Sequence, residues 1–101
     1  MANDVAIIKK NTVDVVANRI RQFQETGELH LPPGYSAENA IKAAWLQIQE
    51  TVNMSKQPAL DVCTRESIAN ALLYMVTMSL SPAKNQCYFL VYGNKLACQR
   101  S

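Results

Sequence analysis

The last stretch of the chain limits its fold more than any other. The apolar run Cys87-Tyr88-Phe89-Leu90-Val91-Tyr92 is followed by Gly93-Asn94 and then by Lys95-Leu96-Ala97-Cys98. Glycine and asparagine tolerate positive φ, which is what the central residues of a two-residue hairpin loop require. The sequence therefore predicts an antiparallel hairpin over about 86–100. Tyr92 then faces Lys95, Leu90 faces Ala97, Phe89 faces Cys98 and Cys87 faces Arg100. A hairpin apolar on both faces does not stand alone in water. It has to lean on the segments before it, and its second strand has barely returned when the sequence reaches Ser101. The chain is accordingly expected to be the opening section of a larger domain.

Those preceding segments read as helices. Thr12 is a capping residue for a helix over 12–26, in which Val13, Val16, Ile20 and Phe23 share a face, Arg19 and Arg21 point outward, and Gly27 is the stop. Met1 to Lys10 carry no cap and are expected to fray. Leu29 to Tyr35 contains Pro32-Pro33 and reads as a connector whose apolar residues pin it to a neighbouring surface. Ser36 caps a second helix over 36–54, with Glu38 in its first turn and Ile41, Ala44, Trp45, Ile48 and Val52 at helical spacing. A break around Pro58 spans Lys56 to Val62. Thr64 then caps a third helix over 64–80, whose stripe of Ile68, Leu72, Met75, Val76 and Leu80 is widened by Ala69, Ala71 and Leu73. So broad a stripe predicts burial on more than one side. The fold class is α+β, about three helices followed by the hairpin.

Composition removes several function classes. With 49% hydrophobic residues in 101, one domain can bury a core without metal or disulfide staples. Three glycines leave no glycine-rich phosphate loop, and His30, the only histidine, has no nucleophile, orienting carboxylate or further ligands in its local sequence. The carboxylates are scattered over predicted solvent faces. The chain is not read as an enzyme, and neither a catalytic residue, a metal nor a cofactor is assigned. Cys63, Cys87 and Cys98 are odd in number and lack metal-ligand spacing. Cys87 and Cys98 fall on one hairpin face as diagonal neighbours, roughly 7 Å or more apart, long for a disulfide. Free thiols point to a reducing, cytoplasmic setting, and no apolar run approaches membrane length.

Charge is more telling in its distribution than in its sum of +2. Glu66 is the last carboxylate, and Lys84, Lys95 and Arg100 follow it unopposed. Tyr88 and Tyr92 alternate onto the face that also carries Lys95, with Lys84 and Arg100 at the strand ends. Aromatic faces stack bases while cations follow phosphates, the combination that binds single-stranded nucleic acid. The other reading of the same residues is that both tyrosines pack beneath a further layer of the domain, and physics alone favours it.

The residues themselves carry a resemblance. Cys63-Thr64-Arg65-Glu66-Ser67-Ile68, Asn70-Ala71-Leu72, Leu80-Ser81-Pro82, Gln86 to Leu96 and Gln99-Arg100-Ser101 closely resemble the RecT family of phage and prophage recombinases, specifically from about Pro58 onward. One departure is Val91, where many members carry proline. The resemblance implies a single-strand annealing protein that coats single-stranded DNA as rings or filaments, pairs it with a complementary strand without ATP, and works beside a partner exonuclease. It also implies that the domain continues beyond this stretch. Carried over residue by residue, the DNA-binding candidates are Lys84, Tyr88, Tyr92, Lys95 and Arg100. The rival class is a non-catalytic interaction or oligomerisation module with no DNA contact. Exposed apolar surface on the hairpin and third helix predicts a dimer or larger assembly. Analytical ultracentrifugation checks this, and a strictly monomeric profile at high concentration contradicts it.

Overall fold

The computed structural model describes residues 2–101, with side chains described from Lys10 onward. Among the described residues four α-helices precede a two-stranded antiparallel sheet. These are α1 (Ala2–Thr26), α2 (Ala37–Glu50), α3 (Ala59–Val62), α4 (Arg65–Thr77), β1 (Cys87–Tyr92) and β2 (Lys95–Arg100), with a 3₁₀ turn at Pro82–Lys84.

The boundaries differ from the sequence reading in physically simple ways. The first helix begins at Ala2 rather than at Thr12, so Lys10 and Thr12 lie inside it and the expected fray is corrected; Met1 lies outside the described residues. The stretch Ala2 to Asn11 contains no glycine or proline. Once the packed segment from Val13 has formed, each residue added in front of it brings one more hydrogen bond at little further cost. At the other end Gly27 takes φ 80°, its amide donates to the Gln24 carbonyl at 3.3 Å, and the Glu28 amide donates to that of Phe23 at 2.9 Å. This pairing closes the orphan carbonyls of the last turn.

The second helix stops at Glu50, not at Met54. Ser36 caps its start by accepting from the Asn39 amide at 3.2 Å, as its sequence position predicts. Thr51 leaves the helix with ψ 135°, and the Asn53 side-chain oxygen accepts from the amides of Ser55 and Gln57 at 2.9 and 2.8 Å. That local turn outcompetes another helical turn. Val52 is consequently half exposed instead of lining the stripe, and Met54 is fully exposed. Part of the expected break folds as the single turn α3, which buries Ala59.

The last helix ends at Thr77 rather than Leu80. Ser79 adopts the left-handed conformation with φ 56°, and the Leu80 amide donates to the Met75 carbonyl at 2.9 Å. A non-glycine residue in that conformation costs about 1–3 kcal/mol. Burial of Leu80 next to Met75 offsets it. Leu80 is also where the connector is pinned, because the Tyr35 hydroxyl donates to the Leu80 carbonyl at 2.8 Å.

The core draws Val13, Val16 and Ile20 from α1, Ile41, Ala44 and Ile48 from α2, and Ile68, Leu72, Met75 and Val76 from α4. Phe89 and Leu96 close it from the hairpin. α4 packs against α1, α2 and β2, so its broad stripe is covered on several sides. Two polar contacts fasten the hairpin to the start of this helix. The Thr64 amide donates to the Asn94 carbonyl at 2.9 Å, and the Leu96 amide donates to Ser67 Oγ at 3.1 Å. Ser67 Oγ in turn donates to the Thr64 carbonyl at 2.8 Å, while Thr64 caps α4 by accepting from the Ser67 amide at 3.1 Å.

The inner hairpin face meets Tyr35 and carries the two thiols. Cys87 and Cys98 lie diagonally on this face as thiols and touch through their sulfurs. Burial, reinforced by Cys87, pushes the Cys98 thiol up to about 12. Burial likewise raises the Cys87 thiol, while its contact with Cys98 works in the opposite direction. The Tyr35 phenol is pushed up to about 12, first by burial and then by the two neighbouring thiols.

Two outcomes follow from these contacts. Ser67→Ala strands the buried Leu96 amide and should cost about 1–3 kcal/mol in urea unfolding; a loss below about 0.5 kcal/mol would mean that water replaces the hydroxyl. The three raised groups stay protonated in the folded chain at pH values where the unfolded chain already ionises. Their contribution is therefore fully present below pH 9.0, and that of Tyr35 and Cys98 is lost as pH climbs toward 12, with Cys87 acting in the same direction. Replacing both Cys87 and Cys98 by alanine should delay the onset of that loss toward 10.0, the ordinary value of the remaining tyrosine. Melting temperatures across this range decide it, and identical onsets in the two proteins would refute the assignment.

Candidate nucleic-acid interface

Register decides what the hairpin offers to solvent. The pairs run Cys87↔Arg100, Tyr88↔Gln99, Phe89↔Cys98, Leu90↔Ala97, Val91↔Leu96 and Tyr92↔Lys95. In the loop Gly93 takes φ 60° while Asn94 does not have positive φ. Glycine at the first central position is the arrangement of a type II′ turn, so one of the two loop residues uses the freedom that both possess. Opposed residues share a face. Cys87, Phe89, Val91, Leu96, Cys98 and Arg100 thus lie on one side, and Tyr88, Leu90, Tyr92, Lys95, Ala97 and Gln99 on the other.

The first set faces the helices: Cys87, Phe89 and Leu96 are buried. Since α4 occupies that side, the second set is turned outward. Tyr88 is 44% exposed, Leu90 37% and Tyr92 56%, and Lys95 is exposed beside Tyr92. The outer face is an apolar and aromatic strip ending in an ammonium group at the turn. It has two exposed aromatic rings and a cation, with no carboxylate in either strand.

The other two candidates sit apart from this strip. Arg100 belongs by alternation to the helix-facing side, at the open end of the hairpin. Lys84 lies on the 3₁₀ turn, and the Ser101 hydroxyl donates to the Asn85 carbonyl at 2.6 Å, so Lys84 and Arg100 come to the same end. The structure therefore unites Tyr88, Tyr92 and Lys95 on one face and leaves Lys84 and Arg100, both exposed, flanking its far end. His30 is exposed, and among the described residues no three His, Cys, Asp or Glu side chains gather as metal ligands. No described helix is long and apolar enough to cross a membrane.

Cations on the helices fall into two kinds. Lys10 pairs with Asp14 at 2.6 Å and Arg21 with Glu38 at 3.4 Å, which neutralises both along the cleft between α1 and α2. Lys42, which also lines that cleft, has no such partner among the described residues, nor do Arg19 and Arg65, which both line the cleft between α1 and α4. Sequence reasoning placed Arg19 outward but passed over Arg65. Its position in the first turn after the Thr64 cap, one step beyond the residue bonded to the hairpin loop, was the available signal.

A family model described as the RecT family matches residues 38–101, which spans α2 to the end of the hairpin. No curated protein and no solved structure matches the chain.

Proposed function

Because the chain belongs to the RecT family, whose members bind and anneal single-stranded DNA in phage-type recombination and form oligomers, we propose that the outer hairpin face is a single-strand contact surface. The observation that carries this reading is the half-exposed pair Tyr88 and Tyr92 on one face with Lys95. Every base has a π-face, so tyrosine rings bind successive bases without regard to sequence, at about 1–3 kcal/mol per stacked base. Lys95 takes a phosphate at the turn end of the strip. Lys84 and Arg100 hold the backbone where the strand leaves the other end. No carboxylate follows Glu66 to repel it.

The proposed activity is pairing of complementary single strands in recombination, without ATP, cofactor or catalytic residue. Stacking from one face supports it, because a strand held by its backbone and splayed against a protein surface still offers base edges to a complement. Assembly into a ring or filament, a partner exonuclease that supplies the single strand, and a cytoplasmic setting complete the proposal. We propose this stretch as the first section of a larger RecT-like domain.

The rival, a protein interaction module, draws on Leu90 and Ala97 between the tyrosines, since this part of the strip is apolar without being aromatic. Mutations separate the two. Lys95→Ala should reduce the slope of log affinity against log salt by about 0.7, the value for one phosphate contact on single strands. Tyr88→Ala should leave that slope unchanged and weaken binding by about 1–3 kcal/mol. Both side chains are exposed, so both variants keep the core intact. Fluorescence anisotropy with a labelled oligo(dT) reads both quantities. Unaltered affinity and slope in the two variants would assign the face to protein contacts.

A further inference from the structure

We infer that the cleft between α1 and α4 is a second single-strand subsite, in which Arg19 and Arg65 carry the phosphodiester backbone onward from the hairpin turn. The inference rests on the single-strand reading of the hairpin and adds a location and a chemistry to it.

What distinguishes this cleft is that its unpaired cations are two guanidinium groups. Along the α1–α2 cleft Lys10 and Arg21 are each matched by a carboxylate within 4.0 Å, so a polyanion would have to displace Asp14 or Glu38 to reach them, and Lys42 is the one lining cation with no ion pair among the described residues. The α1–α4 cleft has a volume of about 770 Å³, and among the described residues it sets two guanidinium groups against one carboxylate, that of Glu66. Neither Arg19 nor Arg65 forms an ion pair among the described residues, and both are exposed. A guanidinium is always charged and presents paired donors that fit phosphate oxygens. The surplus charge is thus free for an anion.

Position then favours a nucleic-acid strand over a small anion. The cleft wall includes Thr64, whose amide is bonded to the Asn94 carbonyl in the hairpin loop, and Arg65 follows Thr64 as Lys95 follows Asn94. Two short steps of chain therefore connect Lys95 on the stacking face to Arg65 in the cleft. The floor is apolar, formed by Val15, Ala69 and Leu73, and holds no aromatic ring. Such a floor accommodates sugars without stacking bases. The hairpin reads the bases' faces and the cleft reads only the backbone.

The test uses the full chain with labelled oligo(dT) and with an abasic strand of the same length. Arg19→Gln with Arg65→Gln should reduce the salt slope by about 1.4, or about 0.7 for each arginine. The reduction should be the same on the abasic strand, where Tyr88→Ala has no effect. Arg21→Gln should leave the slope unchanged. Lysine at both positions restores the slope while keeping charge, and matched melting temperatures show that every variant is folded. If the wild-type chain does not bind oligo(dT), the hairpin reading and this inference fall together. If it binds and depends on Tyr88, but the double glutamine variant keeps the full slope, the cleft subsite alone is overturned.

Discussion

The hairpin can exist because the first turn of α4 holds it. A two-stranded sheet is marginal by itself, and here the strand that turns back does so against a helix cap. Thr64 satisfies three needs at once: its hydroxyl caps α4, its amide takes the Asn94 carbonyl, and its own carbonyl accepts from Ser67. Ser67 Oγ then accepts the Leu96 amide, which points away from β1 and has no ladder partner there. The bonds made by Ser67 are buried or partly buried, and a hydrogen bond lost in such a place leaves a dry donor behind. Apolar burial of Phe89 and Leu96 gives the attachment its strength. The polar contacts give it its register.

That register has a functional consequence. A slip by one residue in a strand exchanges its two faces. With Leu96 fixed inward by Ser67, Lys95 and Ala97 are outward, and pairing across the sheet turns Tyr88, Leu90 and Tyr92 outward as well. The exposure of two tyrosines thus follows from a serine hydroxyl on a neighbouring helix, not from any preference of tyrosine for solvent. A change at Ser67 would disturb the strip without touching it.

Much of this was legible from residues alone where the deciding physics is local. Gly93 announced the turn, and counting outward from it produced the pairing from Tyr92↔Lys95 to Cys87↔Arg100 that the structure has. Ser36 and Thr64 were readable as caps because a short polar side chain before an apolar period has one common use. What escaped was decided by competition or by distance. Asn53 ends α2's neighbourhood through a side-chain turn that beats helical spacing, and Ser79 accepts a strained conformation because Leu80 gains burial. The helix before Thr12 needs no cap of its own when a packed segment extends it. The cleft pairing Arg19 with Arg65 joins residues far apart in sequence, so no motif contains both.

The same electrostatics bears on why an annealing protein of this kind would work in assemblies. A net charge of +2 with two helical cations already tied to carboxylates leaves each copy few groups for a phosphate backbone. Counterion release scales with the number of phosphates neutralised, so one copy would hold a strand weakly and with a shallow dependence on salt. Copies arrayed along one strand change the arithmetic, because each bound copy raises the effective concentration of the next contact. Weak, sequence-blind contacts repeated many times would keep a strand coated, yet leave each base individually easy to release to its complement. In that view the scarcity of cations suits the annealing reaction, and the RecT family's tendency to oligomerise supplies the affinity that a single copy lacks.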